Sequence, residues 1–562
     1  MVGKEFMEIN EIYNKWVEFA TEDIDLVNEL KSIVNDKAKI EDAFYKELAF
    51  GTGGLRGVIG AGSNRLNIYT IRKASAGLAN YISKKYPDNK SIAISFDSRI
   101  KSDLFARTSA EVFASFGIHV YIFKELMPTP VLSYAVRTLK CAAGVMVTAS
   151  HNPSKYNGYK VYGPDGCQIT SEAADSITKE IGLVDPFAVK TGTFDAYLGN
   201  EIEYIKDELL DSFIERVKKE SVLGSTKINR DFKIIYSPLN GTGLKPVTRI
   251  LKETGFSNVL VVKEQEKPNG LFPTCPFPNP EIKEAMVLGV EYAEKYNADL
   301  LIATDPDCDR VGIAVKDGET YRLMTGNEVG CLLLDFICKQ RIENQIMPSN
   351  PVAVKTIVTT DLIDKIAGKY GIKLYSVLTG FKYIGDVIAK LEKKNEEQSY
   401  ILGMEESYGY LTGSYVRDKD AVDGVFMIAE MFAYYKTKNK SLIDVLNDLY
   451  KEHGYFLNKL DTFEFDGSSG MAKMSELMNF FRNDVSNFGN YNIEEKIDYN
   501  DGVGDLPPSN VVKFFFNGHT LTVRPSGTEP KLKIYYSIKE ENLDKATETY
   551  NYLKNIILHF VK

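Results

Sequence analysis

The sequence predicts an α/β protein: three consecutive α/β units of one plan, followed by a smaller α+β domain. Three observations carry this. At roughly 150 residues per domain, 562 residues suggest about four domains. Short apolar runs alternate with stretches of helical periodicity, which is the pattern of βαβ units. Three times, a polar loop follows directly on an apolar run, a weak repeat of the supersecondary plan and not of the sequence.

The chain opens on a helical leader. Up to about residue 48, apolar side chains recur at helical spacing, as in Trp16, Val17, Phe19 and Ala20, then Leu26, Leu30 and Ile33. The stretch F-G-T-G-G-L-R-G at 50–57 follows. Its glycines permit positive φ and close approach of a ligand, so it reads as a flexible turn or as an anion-binding nest charged by Arg56. It is not the dinucleotide fingerprint, because Arg56 stands where the third glycine of G-x-G-x-x-G would fall. Residues 91–96 read as a strand, 101–117 as a helix and 119–123 as a strand. Pro128 and Pro130 suit the first turn of the next helix. Residues 142–147 are a buried strand, and 156–162 a returning one that brings Lys160 back toward the intervening loop. This first unit spans 1–210. The second, 211–323, has strands near 232–236 and 298–303. The third, 324–452, has strands at 352–354 and 399–402. From 453 the pattern changes to strands at 510–516 and 519–523 and a terminal helix from Glu540, an α+β arrangement.

Composition excludes several classes. A net charge of −9 argues against a nucleic-acid binder, which needs a basic surface. The amino terminus carries acids and no apolar core of a signal peptide. The most apolar windows, such as 329–338, are too short to cross a bilayer, so no membrane partner is expected. Six scattered cysteines without a C-x-x-C pair point to a reducing compartment, and the cytoplasm is the expected location.

Four loops carry candidate chemistry, although each alone is compatible with a polar turn. In T-A-S-H-N-P, 148–153, Pro153 lets neither strand nor helix begin, which leaves Ser150 and His151 on a loop at a strand's carboxyl end. Ligands bind at that edge of open α/β sheets. Asp305, Asp307 and Asp309 alternate with Pro306 and Cys308, and three carboxylates so close repel unless a cation neutralises them. All-oxygen ligands favour a hard ion, Mg²⁺ before Ca²⁺. A calcium loop would need Gly and Glu at its sixth and twelfth positions, where Arg310 and Lys316 stand. Arg310 is placed to hold a phosphate oxygen. In G-M-E-E-S-Y-G, 403–409, Glu405 and Ser407 offer the mixed donors and acceptors that sugar hydroxyls require. Arg417 and Lys419 follow, either as a solvated charge run or as the cationic side of the same cleft. In R-P-S-G-T-E-P, 524–530, Arg524, Ser526, Gly527 and Thr528 between prolines form a preorganised anion cradle. Joined, these parts suit phosphoryl transfer on a phosphosugar, with Ser150 as covalent carrier, chemistry that depends on positioning and electrostatics.

T-A-S-H-N-P, D-P-D-C-D-R, G-M-E-E-S-Y-G and R-P-S-G-T-E-P, with F-G-T-G-G-L-R-G, resemble the motifs of the α-D-phosphohexomutase superfamily in its phosphoglucomutase branch. They occur in family order over nearly the whole chain. The resemblance implies three related α/β domains with mixed sheets around a central cleft plus a C-terminal α+β domain. It implies a phosphorylated Ser150, and one Mg²⁺ held by Asp305, Asp307, Asp309 and an oxygen of the phosphoserine. Glu405 and Ser407 match the sugar loop, and Arg524, Ser526, Gly527 and Thr528 the phosphate cradle. Arg56 and Arg310 match arginines near the transferred phosphate, and Lys160 matches a lysine after the serine loop. Thr379 to Lys382, T-G-F-K, resembles the specificity loop T-G-x-K, with Phe381 leaving glucose and mannose both open. Some members carry a histidine in the pattern G-E-M-S-G-H, where this chain has Gly409.

The implied reaction interconverts glucose 1-phosphate and glucose 6-phosphate, with glucose 1,6-bisphosphate as intermediate and activator. Lys160, its pKa lowered if neighbouring arginines lie close, is the first candidate for acid/base work, His151 the second and Lys419 the third. Phosphomannomutase or phosphopentomutase is the alternative within the class. A non-catalytic sugar-phosphate binder and a hydrolase that loses phosphoserine to water are the alternatives outside it. Partners are small sugar phosphates, and the chain is expected as a monomer or homodimer.

Overall fold

The computed structural model describes residues 2–51, 53–465, 467–526 and 531–561. The leader folds as three helices, Val2–Phe19, Ile24–Ile33 and Lys37–Phe44. Trp16 anchors it, packing edge-on to Phe44, Tyr69 and Phe187.

Three mixed sheets follow. The first has the order Gly54–Val58, Tyr156–Tyr162, Ala143–Val147, Ser91–Phe96, His119–Ile122, Ile202–Tyr204. The second runs Thr320–Met324, Val311–Asp317, Leu300–Thr304, Ile234–Ser237, Val259–Val261. The third runs Lys373–Val377, Val352–Thr356, Tyr400–Glu405, Gly409–Leu411. Their shared plan is specific. In each, a buried strand (Ala143–Val147, Leu300–Thr304 or Tyr400–Glu405) leads into a loop, and the chain returns on an antiparallel neighbour. Strands buried on both faces read as continuous apolar runs, which is why the sequence pattern exposes them. The third is longer than its sequence suggests. Pairing continues from Gly403↔Leu411 to Glu405↔Gly409, so Glu405 is held on a strand end, not on a free loop.

One apolar core links the three units, running from Leu132 and Phe213 through Ile302 and Leu333 to Phe426 and Leu446. At its centre, helix Ala421–Thr437 is buried on nearly every face, as expected of a helix without a polar stripe. The carboxyl-terminal domain is an antiparallel sheet in the order Tyr455–Glu464, Lys531–Glu540, His519–Pro525, Val512–Phe516, Glu495–Asp498, covered by helices Gly467–Asn483 and Leu543–Val561. Two of its longest strands, Tyr455–Glu464 and Lys531–Glu540, are absent from the sequence-based reading. Tyr455–Glu464 is half exposed and studded with charges, so its apolar pattern is weak. Glu540 ends the latter strand, and the terminal helix begins at Leu543. No helix of the described residues is long and apolar enough to cross a membrane.

The glycine-rich stretch differs from its expectation as a turn or nest. Residues Gly54–Val58 form an edge strand, in register with Tyr156–Tyr162. Gly54 is needed for packing. Its φ is +125°, and a Cβ there would lie 1.8 Å from the Tyr159 carbonyl oxygen. Gly54→Ala is therefore expected to destabilise the first domain by on the order of 2–4 kcal/mol. A melting temperature equal to that of the parent chain would refute this.

Candidate active site

The strand-end loops of the three sheets and one edge of the carboxyl-terminal sheet converge on a cavity of about 790 Å³. Ser150 enters it from the first domain with φ +51°, a left-handed conformation held by a hydrogen bond from its own N–H to Thr148 Oγ1 at 2.7 Å. Its hydroxyl donates to Asp305 Oδ2 of the second domain at 2.8 Å, and His151 Nδ1 lies 3.2 Å away.

The aspartate loop is fixed from several sides. Cys308 takes φ +52° to turn it. Asp305 Oδ1 accepts from the backbone N–H groups of Asp309 and Arg310 at 3.1 and 3.0 Å. Thr129, at the start of helix Thr129–Thr138, donates its N–H to the Asp307 carbonyl at 3.0 Å and its hydroxyl to Asp307 Oδ2 at 3.1 Å. That helix therefore sets its positive end against the acid, where the macrodipole favours negative charge.

Asp305, Asp307 and Asp309 are buried, with one ligand oxygen from each within 4.8 Å of the others. Lys160 Nζ lies 2.7 Å from Asp307 Oδ2 and 3.5 Å from Asp309 Oδ2. Lys419 Nζ lies 2.9 Å from Asp309 Oδ2. Burial, then the charges of Asp307 and Asp309, push the Asp305 carboxyl well above its usual range. Burial acts on Asp307 in the same sense, but Lys160 overrides it and holds that carboxyl far below. Asp307 Oδ1 and Asp309 Oδ1 are buried without a hydrogen-bond partner. An all-oxygen set with two unpaired buried acceptors fits a hard divalent cation.

Lys160 departs from its expectation. Burial disfavours its ammonium, but the carboxylates of Asp307 and Asp309 outweigh burial, and its pKa is raised, not lowered. Arginines do not control it, because its nearest charges come from the second domain. His151 is kept well below its usual range by burial, then by Arg310 and Arg56.

Other predicted residues fall into place unequally. Arg56 lies on the edge strand and faces the cleft, with Nη1 3.4 Å from Asn152 Oδ1. Glu405, Ser407, Thr379 and Arg524 all line the cleft. Glu405 accepts from the Gly380 N–H at 2.9 Å. Burial pushes its carboxyl up to about 7, with Lys419 opposing and Glu406 adding to the rise. Lys382 is not among the cleft-lining residues; its ammonium sits 5.2 Å over the Tyr383 ring. The two cations of R-D-K-D divide. Lys419 faces the aspartates, whereas Arg417 is fully buried and pairs with Glu392 at 2.7 Å. A Cβ at Gly409 would lie 2.5 Å from Lys419 Cδ, so the glycine makes room for the lysine. The Ser526 N–H donates to the Lys531 carbonyl at 2.7 Å, while Gly527 and Thr528 lie outside the described residues.

Among the cleft residues that escape sequence reasoning, two carry charge beside predicted arginines. Glu281 pairs with Arg310 and is set by the Asn279 side chain, which accepts its N–H at 3.1 Å. The proline-rich run leading to P-N-P-E was the available signal, since prolines stiffen a loop. Lys533 stands opposite Arg524 across two strands and also lines the cleft; the alternation of Leu532, Ile534, Tyr536 and Ile538 with their neighbours was the available signal for its strand.

Comparison with known proteins agrees with this geometry. The models of α/β/α domains I, II and III of phosphoglucomutase/phosphomannomutase match residues 47–185, 211–318 and 325–453. The phosphoglucomutase of Staphylococcus saprophyticus is 38% identical over 532 residues, 92% of this chain and 95% of its own. That of Staphylococcus haemolyticus is 35% identical over 536 residues, 91% and 94% of the two chains. Among solved structures, the open form of parafusin, a phosphoglucomutase from Paramecium, shares the fold. Its TM-score is 0.69 at 20% identity, covering 92% of this chain and 95% of that one. Three family domains in order, joined to a likeness that runs nearly the length of both chains, lead to one conclusion: this chain belongs to the phosphoglucomutase/phosphomannomutase family.

Proposed function

We propose that the chain is a phosphoglucomutase, an isomerase that interconverts glucose 1-phosphate and glucose 6-phosphate through a phosphoserine at Ser150 and a glucose 1,6-bisphosphate intermediate. The observation that carries this reading is the 2.8 Å contact between Ser150 Oγ and Asp305 Oδ2, a nucleophile and a carboxylate cluster brought together from two domains.

In the first half-reaction the P–O bond to Ser150 Oγ breaks as a bond forms to the free hydroxyl of glucose 1-phosphate. The hydroxyl's proton passes through a group beside Ser150 to the departing Oγ. Of the three candidates, His151 is kept neutral and lies 3.2 Å from that oxygen, so it can carry the proton, whereas Lys160 and Lys419 are held as ammonium ions by the aspartates and stabilise negative charge. Asp305, Asp307 and Asp309, with an oxygen on Ser150, would hold Mg²⁺, which supplies charge neutralisation at the phosphoryl group. Arg56 and Arg310 orient that group. Arg524, with Lys533 and the Ser526 loop, anchors the phosphate that is not reacting. Glu405 and Ser407 accept from and donate to the sugar between the two anion sites. The bisphosphate then turns over in the cleft, and its other phosphoryl group returns to Ser150. The four domains in this reading are 1–210, 211–323, 324–452 and 453–562. The six cysteines are all free and buried, which suits a cytoplasmic enzyme.

The test is turnover by the purified chain with Mg²⁺ and catalytic glucose 1,6-bisphosphate. The expected result is a higher kcat/KM for glucose 1-phosphate than for mannose or pentose 1-phosphates. A reversed preference reassigns the chain to phosphomannomutase or phosphopentomutase, and no turnover on any of them rejects the reading.

A pH dependence follows from Glu405. With its carboxyl raised to about 7, it is mostly protonated below that pH and cannot accept fully from sugar hydroxyls. Hence kcat/KM is expected to rise as pH climbs through about 7, and Glu405→Gln to remove that limb. Titration of the substrate phosphate remains in both proteins, so the difference between profiles isolates Glu405. Superimposable profiles would exclude it.

A further inference from the structure

Arg99 is a buried arginine beneath the Ser150 loop. Its side chain has no exposed surface and is not among those lining the cavity. All its donors go to one loop. Nε and Nη2 donate to the Ser150 carbonyl at 3.2 and 2.5 Å, Nη2 also donates to the Asn152 carbonyl, and Nη1 donates to the carbonyls of Pro153 and Tyr156, both at 3.0 Å. One guanidinium thus fixes four carbonyls between residues 150 and 156.

Asp97 completes the clamp from below. It accepts the Arg99 N–H at 2.9 Å, the Ser102 hydroxyl at 2.7 Å and the Thr148 hydroxyl at 2.6 Å, and its Oδ2 lies 3.5 Å from Arg99 Nε. Thr148 Oγ1 in turn accepts the Ser150 N–H. The amide and the carbonyl of Ser150 are therefore both held by one buried network. A non-glycine residue at positive φ persists only where its surroundings over-determine it, and this network does so.

The second domain closes the other side. The Phe272 ring lies 5.1 Å from the Arg99 guanidinium, and Gly270 approaches so closely that a Cβ would sit 2.5 Å from the Ile100 nitrogen. Arg99 therefore stands at the seam across which Ser150 Oγ must meet Asp305. We infer that Arg99 is a positioning residue for phosphoryl transfer: through four carbonyls, and backed by Asp97 and Thr148, it aims Ser150 at the aspartate cluster without touching substrate.

This inference rests on Ser150 being the phosphoryl carrier, and the experiment separates the two claims. The full chain is charged with glucose 1,6-bisphosphate, and intact mass is followed as glucose 1-phosphate is added. Wild-type protein that never gains a phosphoryl group rejects the carrier reading itself. Given a charged wild type, Arg99→Met is expected to slow single-turnover transfer about 10²-fold, the scale of a small misplacement of reacting atoms. Its affinity for glucose 1-phosphate is expected to stay unchanged, and guanidinium ion in solution to restore part of the rate. A loss of rate that only tracks loss of folded protein, with no guanidinium rescue, assigns Arg99 a merely structural role and overturns the inference. Thr148→Val, which keeps the shape and the buried cation but removes the acceptor for the Ser150 N–H, serves if Arg99→Met does not fold. It is expected to slow transfer while leaving binding intact, and transfer at the wild-type rate by either folded variant overturns the inference.

Discussion

Ser150→Ala is expected to abolish isomerisation while glucose 1-phosphate still binds. The substitution removes the one oxygen that lies 2.8 Å from Asp305 Oδ2 and leaves the cations at the far side of the cleft, Arg524 and Lys533, in place. It is sterically mild, because alanine is no larger than serine and the network around the loop uses the backbone of residue 150, not its hydroxyl. Loss of a nucleophile that forms a covalent intermediate lowers kcat by on the order of 10⁴–10⁶-fold. Binding, which depends on groups spread over four domains, should change little. The checks are turnover, calorimetric titration with glucose 1-phosphate, and intact mass after exposure to glucose 1,6-bisphosphate. Retained turnover, or retained uptake of a phosphoryl group at the parent's rate, would remove Ser150 from the reaction.

The legible part of this site is that which local chain chemistry dictates. Pro153 after an apolar run betrays the Ser150 loop, and three acids after another betray the aspartate loop. The illegible part arises between residues far apart in the sequence. Lys160 and Asp307 are 147 positions apart, so nothing in the sequence says that a carboxylate, and not an arginine, sets the lysine's charge state. Arg99 reads as a polar residue at a strand end, because the carbonyls it holds belong to a loop some fifty positions later. The glycines at 51–57 show a different limit. Positive φ beside a ligand and close packing of two strands demand the same residue, and only the position of Tyr159 distinguishes them. Strand Tyr455–Glu464 fails for yet another reason, since an edge strand with much exposed surface needs few apolar residues.

Asp307→Asn should separate the metal's contribution from the rest of the cleft. In the parent chain, Asp307 and Asp309 each keep one buried oxygen without a hydrogen-bond partner, while Lys160 and Lys419 engage the others. A divalent cation bound there satisfies acceptors that burial otherwise penalises, so it favours the folded protein. At a concentration about 100 times its Kd, linkage gives about 2.7 kcal/mol of added stability. Mg²⁺ is thus expected to raise the melting temperature of the wild type, and a chelator to reverse it. In Asp307→Asn one anionic ligand is lost, and Lys160 gives up the carboxylate 2.7 Å away. The Mg²⁺-dependent shift should then largely disappear, and kcat/KM should fall by on the order of 10³-fold, as expected when several kcal/mol of charge stabilisation at a phosphoryl group is withdrawn. The thermal measurement does not depend on turnover, so it tests the site even if the substrate assignment changes. Identical Mg²⁺ titrations of melting temperature for the two proteins would show that the ion binds elsewhere. Turnover undiminished by a chelator would show that the cluster serves without one, its charge balanced by Lys160 and Lys419 alone.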